Sequence, residues 1–192
     1  MSNKKAKIVI VGAGFGGLRA ALVIGKEIKQ LKLENKYEVI LIDRNHYHTY
    51  TPTLYEVATT SKETANYLDL KQIVTFPIEE LAKNLPIRFI NGEITHLDLT
   101  KGDVHCLCVD PKSPAEELKF DYLVLAPGSE ANYFGIPGLQ ENSLTLKTFL
   151  DALKIRDKIL ELVASGKERL EIIIGGGGST GIELAGEIQE WL

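Results

Sequence analysis

A glycine-rich turn between a strand-like and a helix-like segment constrains this chain more than any other feature. Residues 7–11 form a short apolar run with β-branched side chains, typical of a strand buried in a parallel sheet. Residues 12–17 read Gly-Ala-Gly-Phe-Gly-Gly, and apolar residues then recur at helical spacing to about residue 32. This order of strand, glycine turn and helix predicts the first unit of a Rossmann-like α/β fold.

The three spaced glycines of this turn have a chemical use. Gly12, Gly14 and Gly17 allow a tight turn whose N–H groups reach a pyrophosphate, and the helix N-terminus adds partial positive charge. Ala21, one helical turn later, is small enough for the helix to lie close to the strand. Asp43 ends the next predicted strand, where a carboxylate can accept both hydrogen bonds of a ribose diol and would repel a 2′-phosphate. The sequence therefore predicts a dinucleotide site, and the alternative is that the glycines serve helix–strand packing only.

A second glycine turn repeats the pattern near the end of the chain. Residues 171–174 are predicted as a buried strand, Gly176, Gly178 and Gly181 keep the same spacing, and residues 180–191 are predicted as a helix. No further strand follows to complete the crossover. We therefore expect an N-terminal fragment of a longer protein, without the residue that separates NAD from NADP.

Glu183 is the candidate catalytic residue of this second helix. Its predicted place in the first turn has two interpretations. The carboxylate either interacts favourably with the helix dipole, or it lies beside a nicotinamide and a flavin ring and takes part in hydride or proton transfer. Glu187, one turn later, is a weaker candidate on the same face.

The segments between the two turns predict the rest of the fold class. Residues 93–120 contain two or three short strands separated by turn residues, which indicates an antiparallel β-meander. Residues 121–126 are a buried parallel-type strand, and residues 145–164 are an amphipathic helix. We expect a Rossmann-like domain with a meander over residues 1–142 and the beginning of a second Rossmann-like domain over 143–192.

Composition excludes several partners. Lys and Arg total 22 and Asp and Glu 26, so the formal charge is −4, which argues against a nucleic-acid partner. The apolar start is too short for a signal peptide or membrane helix, which predicts a cytoplasmic N-terminus.

Cys106 and Cys108 fall on one face of a predicted strand and are either small apolar strand residues or a redox pair. No metal site is predicted.

These features together resemble a known group of flavoproteins. The order of glycine turn, meander, residues 123–129 (LVLAPGS), residues 135–138 (GIPG), long helix and second turn resembles the pyridine-nucleotide oxidoreductase superfamily. Within it, residues 48–58 (HTYTPTLYEVA), 146–156 and 176–186 (GGGSTGIELAG) resemble segments of type II NADH:quinone oxidoreductases. The resemblance covers essentially the whole chain.

The resemblance implies noncovalent FAD in the first domain and NADH in the second, with NADPH as the alternative. Hydride would pass from nicotinamide to flavin N5, and two electrons would then pass to a membrane quinone without proton pumping. It also implies peripheral association with the inner face of the cell membrane through a C-terminal part outside this chain, and a homodimer. We expect weak or no activity from the 192 residues alone.

Carried over residue by residue, the resemblance implies the following cofactor-binding positions. For FAD they are Gly12, Gly14, Phe15, Gly16, Gly17, Asp43, Arg44, Thr51, Thr53, Leu54, Ile94, Ala126, Pro127 and Gly128, and for NADH they are Gly176, Gly178 and Gly181. Asp43 would bind the adenosine ribose, Ile94 the adenine through its backbone, and residues 51–54 and 126–128 the flavin. Glu183 would lie near the stacked flavin and nicotinamide. Pro127 replaces the family's usual threonine and has no N–H to donate.

Other functions remain as alternatives. One is a soluble NAD(P)H:acceptor flavoreductase, and another is a flavin- and NADH-sensing module that resembles apoptosis-inducing-factor-like proteins. The chain lacks the Cys-x4-Cys of disulfide reductases after its second strand, and its two cysteines fall in the meander, which argues against a sulfide:quinone reductase. For the neighbouring histidines His46 and His48, we favour a structural role in the loop over a role at the flavin.

Overall fold

The structure is a computed structural model that describes residues 4–61, 64–109, 114–166 and 169–192. Its elements follow in chain order as β1 (Ala6–Val11), α1 (Phe15–Gln30), β2 (Tyr37–Asp43), β3 (Tyr47–Thr49), a 3₁₀ turn (Thr51–Thr53), α2 (Leu54–Thr59), α3 (Tyr67–Val74), β4 (Thr75–Pro77), α4 (Ile78–Leu81), β5 (Ile87–Asp98), β6 (Asp103–Cys108), β7 (Glu116–Lys119), β8 (Tyr122–Leu125), α5 (Leu139–Asn142), α6 (Phe149–Ala164) and α7 (Ser179–Trp191).

A six-stranded sheet carries the first glycine turn. Its order is β7-β6-β5-β2-β1-β8, and β1 lies between β2 and β8 with both neighbours parallel to it. β2 is also parallel to the first half of β5. Apolar residues of β1 and β2 alternate between the two faces of the sheet. Ile10 and Leu41 pack with α1 on one face, whereas Val9 and Ile40 belong to a second hydrophobic cluster on the other face. Burial on both faces explains the continuous apolar runs in these strands, and the predicted Rossmann-like core is confirmed.

The predicted β-meander is confirmed, but its first strand is longer than expected. β5 is one strand whose first half pairs with β2 and whose second half pairs antiparallel with β6, while β6 pairs antiparallel with β7. The register shifts between Ile94 and His96. A single strand therefore serves both the parallel and the antiparallel part of the sheet.

The chain divides into two compact units that are each discontinuous in sequence. One unit consists of the chain up to His48 and Phe76–Ser129, and the other of Thr49–Thr75 and Glu130–Leu192. The core of the second unit is helical and contains Leu54, Val57, Ala58, Leu70, Val74, Phe149, Ala152, Leu153, Ile155, Ile159, Leu184 and Ile188. These units are defined by internal packing, whereas the predicted domains are defined by the cofactor that each would bind. The predicted domain boundary at residue 142 therefore stays a prediction.

Two predicted segments differ in the structure. The long helix begins at Phe149 instead of residue 145, because Thr148 and Asp151 form a reciprocal capping box with bonds of 3.1 and 3.0 Å. The strand predicted at residues 171–174 is wrong: the segment forms no ladder in the described chain, and Ile173 is 94% exposed. An apolar run becomes a strand only where a neighbouring backbone supplies hydrogen bonds. Among the described residues, no helix has the length and apolar character needed to cross a membrane.

Candidate functional site

The first glycine turn closes on itself and on the segment after β8. A side chain on Gly17 would overlap the carbonyl oxygen of Gly12, and one on Gly12, whose φ is +95°, would overlap that of Ala126. The Ala126 N–H donates to the carbonyl of Val11 at 2.8 Å, which holds the two segments side by side. The structure thus brings together the predicted pyrophosphate turn and the start of residues 126–128.

The N-terminus of α1 is arranged to receive an anion. Gly14 is the N-cap residue, no side chain caps the helix, and the first turn contains no acidic residue. The first bond within the helix joins the Leu18 N–H to the Gly14 carbonyl at 3.0 Å. A methyl group on Gly14 would meet no atom within 4 Å among the described residues, so a ligand can approach this backbone closely. A helix N-terminus of this kind favours a pyrophosphate.

Asp43 connects the end of β2 to this turn. One carboxylate oxygen accepts from the Ala13 N–H at 2.6 Å, and the other from the Asn45 N–H at 2.7 Å. Asn91 donates its side-chain amide to the Asp43 carbonyl at 3.0 Å, which fixes the backbone of the same residue. Each carboxylate oxygen keeps a second lone pair, so a ribose diol can still donate to Asp43. Arg44 follows it and is exposed.

His48 contacts the first glycine turn from β3. Its Nδ1 lies 2.9 Å from the carbonyl oxygen of Ala13, and its ring meets that of Phe15 edge-on with centroids 4.9 Å apart. His48 is 7% exposed. The structure therefore favours the loop-structuring alternative, although no spacing in the sequence points to Ala13 as the partner.

The remaining predicted FAD residues of the first unit occupy different environments. Ile94 is half-buried at the register shift of β5 and packs against the sheet core. Gly16 is beside the Ala126 side chain, since a Cβ on it would lie 3.8 Å from the Ala126 Cβ. Pro127 is exposed, and Gly128 adopts a φ of +82° that disfavours any side chain. Their roles toward a cofactor stay predictions.

The second glycine turn has the backbone geometry of the first. Gly176 has a φ of +120°, and a side chain on Gly181 would overlap the carbonyl oxygen of Gly176. In the first turn, a side chain on Gly17 would overlap the carbonyl oxygen of Gly12 in the same way. Gly178 is the N-cap of α7, and the Ile182 N–H donates to its carbonyl at 3.1 Å. The helix again has no side-chain cap. The turn and helix predicted here are therefore present, even though the strand before them is absent.

The predicted flavin-lining residues of the second unit lie in the 3₁₀ turn before α2 and at the first residue of α2. Thr51 is exposed, and the Thr53 hydroxyl donates to the carbonyl of Tyr50 at 3.2 Å. Leu54 is 1% exposed and its side chain is part of the helical core. Leu54 could therefore reach a cofactor only through its backbone.

Glu183 lies in the second turn of its helix instead of the first, because α7 begins one residue earlier than predicted. α7 begins at Ser179, its first turn has no acidic residue, and Glu183 is exposed in the second turn. The helix dipole acts mainly on the first turn, so the dipole interpretation loses support. Burial raises the pKa of Tyr55 in α2, and the charges of Glu56, Glu183 and Glu187 raise it further. Tyr55 thus shares an electrostatic environment with both α7 carboxylates. The sequence analysis did not single out Tyr55, and its place in the family-like segment 48–58 was the one sequence feature that could have indicated it.

The two cysteines have structural surroundings. Both thiols are free and lie on β6, and the Cys106 sulfur packs where a side chain on Gly92 would be. Burial raises the pKa of the Cys106 thiol from 9.0 to about 11, with a smaller contribution from Cys108. A thiol with a raised pKa is a poor nucleophile. The arrangement favours small apolar strand residues over a redox pair.

Known proteins match this chain along nearly its full length. Demethylphylloquinone reductase NdbB of Synechocystis sp. is 32% identical over 194 residues, which are 100% of this chain and 45% of that protein. The type II NADH:quinone oxidoreductase of Staphylococcus haemolyticus is 32% identical over 198 residues, which are 99% of this chain and 44% of that protein. The structure of NDH2 from Plasmodium falciparum in complex with NADH is similar at a TM-score of 0.76 and 28% identity, over 98% of this chain and 37% of that one. The chain therefore spans slightly less than half the length of the curated relatives it matches.

The sequence model of the pyridine nucleotide-disulphide oxidoreductase family matches residues 6–191. This range includes both glycine turns, the sheet that carries the first turn and the helices of the second unit. With a family match over almost every residue and two equivalent glycine turns, the chain belongs to the pyridine nucleotide-disulphide oxidoreductase family.

Proposed function

We propose that this chain is the N-terminal part of a type II NADH:quinone oxidoreductase, with FAD at the first glycine turn and NADH at the second. The observation that carries the proposal is the pair of turns with the same overlap, Gly17 on Gly12 and Gly181 on Gly176. Each opens an uncapped helix N-terminus, which favours the pyrophosphate of a dinucleotide. The likeness to an NADH:quinone oxidoreductase and to an NDH2 in complex with NADH supports NADH as the electron donor and a quinone as the acceptor.

In this proposal the residues of the chain bind and orient, while bound FAD supplies the ability to accept a hydride and release electrons. The turn and N-terminus of α1 receive the FAD pyrophosphate, and Asp43 accepts hydrogen bonds from the adenosine ribose. The second turn receives the NADH pyrophosphate, with NADPH as the alternative. Glu183 places a carboxylate beside the nicotinamide, and Tyr55 shares its electrostatic environment.

The partners belong to the same proposal. The electron acceptor is a membrane quinone, and the protein associates peripherally with the inner, cytoplasmic face of the cell membrane through a C-terminal part that these 192 residues do not include. The full-length protein forms a homodimer. The relatives' acceptors, a quinone and demethylphylloquinone, support this choice of substrate class.

The test is a flavin and electron-transfer assay in two steps. The purified chain is titrated with FAD and its visible spectrum recorded, and we expect bound FAD with weak or no NADH oxidation. The full-length protein is then mixed with NADH and a soluble quinone, and we expect rapid flavin reduction followed by quinone reduction. A full-length protein that binds FAD and NADH without reducing quinone would contradict the proposed acceptor, and one that binds no flavin would contradict the proposal as a whole.

A further inference from the structure

Side chains from two other segments hold both polar backbone groups of Ala13. Asp43 accepts from its N–H at 2.6 Å, and His48 Nδ1 lies 2.9 Å from its carbonyl oxygen. A carbonyl oxygen can only accept, so Nδ1 of His48 must carry the proton of this bond. The edge-on contact with Phe15, at 4.9 Å between centroids, holds the imidazole in place.

The bond to the Ala13 carbonyl also fixes the next N–H. No described peptide is cis, and in a trans peptide the C=O and the following N–H point in opposite directions. Holding the Ala13 carbonyl therefore sets the direction of the Gly14 N–H, at the N-cap of α1. The direction of this donor matters because the N-cap faces the space that a ligand can enter.

The second turn gives an internal comparison. Gly177 occupies the position of Ala13, between Gly176 and Gly178, and no side-chain hydrogen bond to it is found among the described residues. The two turns therefore share one backbone shape, but among the described residues side chains from outside the turn hold the first one alone. Part of a turn that is held in its binding conformation before the ligand arrives loses less freedom on binding.

We propose that His48 is a positioning residue that orients the first glycine turn for a pyrophosphate, acting with Asp43 through the backbone of Ala13. The assignment rests on the proposed function in naming that pyrophosphate as part of FAD. His48 acts through Ala13 and Gly14 and needs no contact with the ligand.

Two substitutions separate the hydrogen bond from the ring. His48→Phe keeps an aromatic ring against Phe15 and removes the donor, whereas His48→Asn loses the ring and keeps an N–H donor near the place of Nδ1. FAD titration should show roughly tenfold weaker binding for His48→Phe and a change of less than about threefold for His48→Asn. Equal affinity of His48→Phe and wild type, or a loss as large in His48→Asn, would overturn the proposal.

A measurement without flavin tests the same bond. Nitrogen-15 NMR of the wild-type chain should show the His48 ring as the Nδ1–H tautomer with a slowly exchanging ring proton. An Nε2–H tautomer would overturn the proposal whether or not the variants fold. Failure of the wild-type chain to bind FAD would count against the proposed function alone, because the tautomer is decided independently of any ligand.

Discussion

The Asp43 carboxylate accepts a 2.6 Å hydrogen bond from the Ala13 N–H, just after the carboxyl end of β1. At the opposite end of the same strand, the Asp121 carboxylate accepts a 2.7 Å hydrogen bond from the Lys7 N–H. Similar bonds thus bracket β1, but only one of them lies at a glycine turn. This pair allows the role in binding to be separated from the role in stability.

Asp43→Asn should weaken FAD binding by roughly tenfold, because the amide nitrogen cannot accept from the Asn45 N–H and the charge that favours a ribose diol is lost. Asp121→Asn, the matched control, removes the same charge but keeps an amide oxygen to accept from the Lys7 N–H, and it should leave the FAD affinity unchanged. The measurement is FAD titration with thermal unfolding of each variant. Equal losses of affinity in the two variants would show that Asp43 acts only through the stability of the sheet.

Gly181→Ala should lower the free energy of unfolding by about 1–3 kcal/mol, because the added methyl overlaps the Gly176 carbonyl and displaces the turn. Gly186→Ala in the same helix meets no described atom within 4 Å and should raise stability by up to about 1 kcal/mol through helix propensity. Urea denaturation of the two variants measures both effects. If Gly181→Ala is as stable as Gly186→Ala, the turn does not have the described geometry.

Glu183→Gln should lower the pKa of Tyr55 toward its ordinary value of 10.0. Burial is the largest cause of the raised pKa, but removing the negative charge of Glu183 makes the phenolate easier to form. The measurement is a phenolate absorbance titration, corrected with a Tyr55→Phe variant so that only this tyrosine is followed. Glu190→Gln, also on α7, is the control and should leave the titration unchanged. An unshifted Tyr55 in Glu183→Gln would mean that the two side chains do not share an environment.

Cys106 should make the chain less stable in alkali. The folded state keeps the thiol proton up to about pH 11, whereas the unfolded chain releases it near its ordinary pKa of 9.0. The free energy of unfolding therefore falls as pH rises through this window, and the contribution is fully present below it. Cys106→Ala should flatten the fall relative to wild type in urea denaturation at a series of pH values. Cys108→Ala removes only the smaller contribution to the raised pKa and should flatten the fall less. Rapid labelling of Cys106 by a thiol reagent in the native state near neutral pH would contradict its burial.

Features set by nearby residues were predictable from the sequence. Gly17 must be glycine because a side chain would overlap the Gly12 carbonyl within the turn, and Gly12 favours glycine because of its φ of +95°. The Thr148-x-x-Asp151 capping box was also present in the sequence, although the helix was predicted to start earlier. Features set by distant contacts were not predictable. Whether residues 171–174 form a strand depends on a partner strand, and the bond from His48 to Ala13 spans 35 residues.

The helical core of the second unit joins segments that are far apart in the chain. Leu54 and Val57 of α2 are buried, and their cluster includes Phe149 of α6 and Leu184 of α7. During synthesis α2 leaves the ribosome well before either partner helix, so its apolar face stays in water until α6 and α7 have been made. Domains that assemble from distant segments fold slowly, and they expose aggregation-prone hydrophobic surface until they are complete. The nascent chain should therefore need chaperone protection during the interval between translation of α2 and of α7.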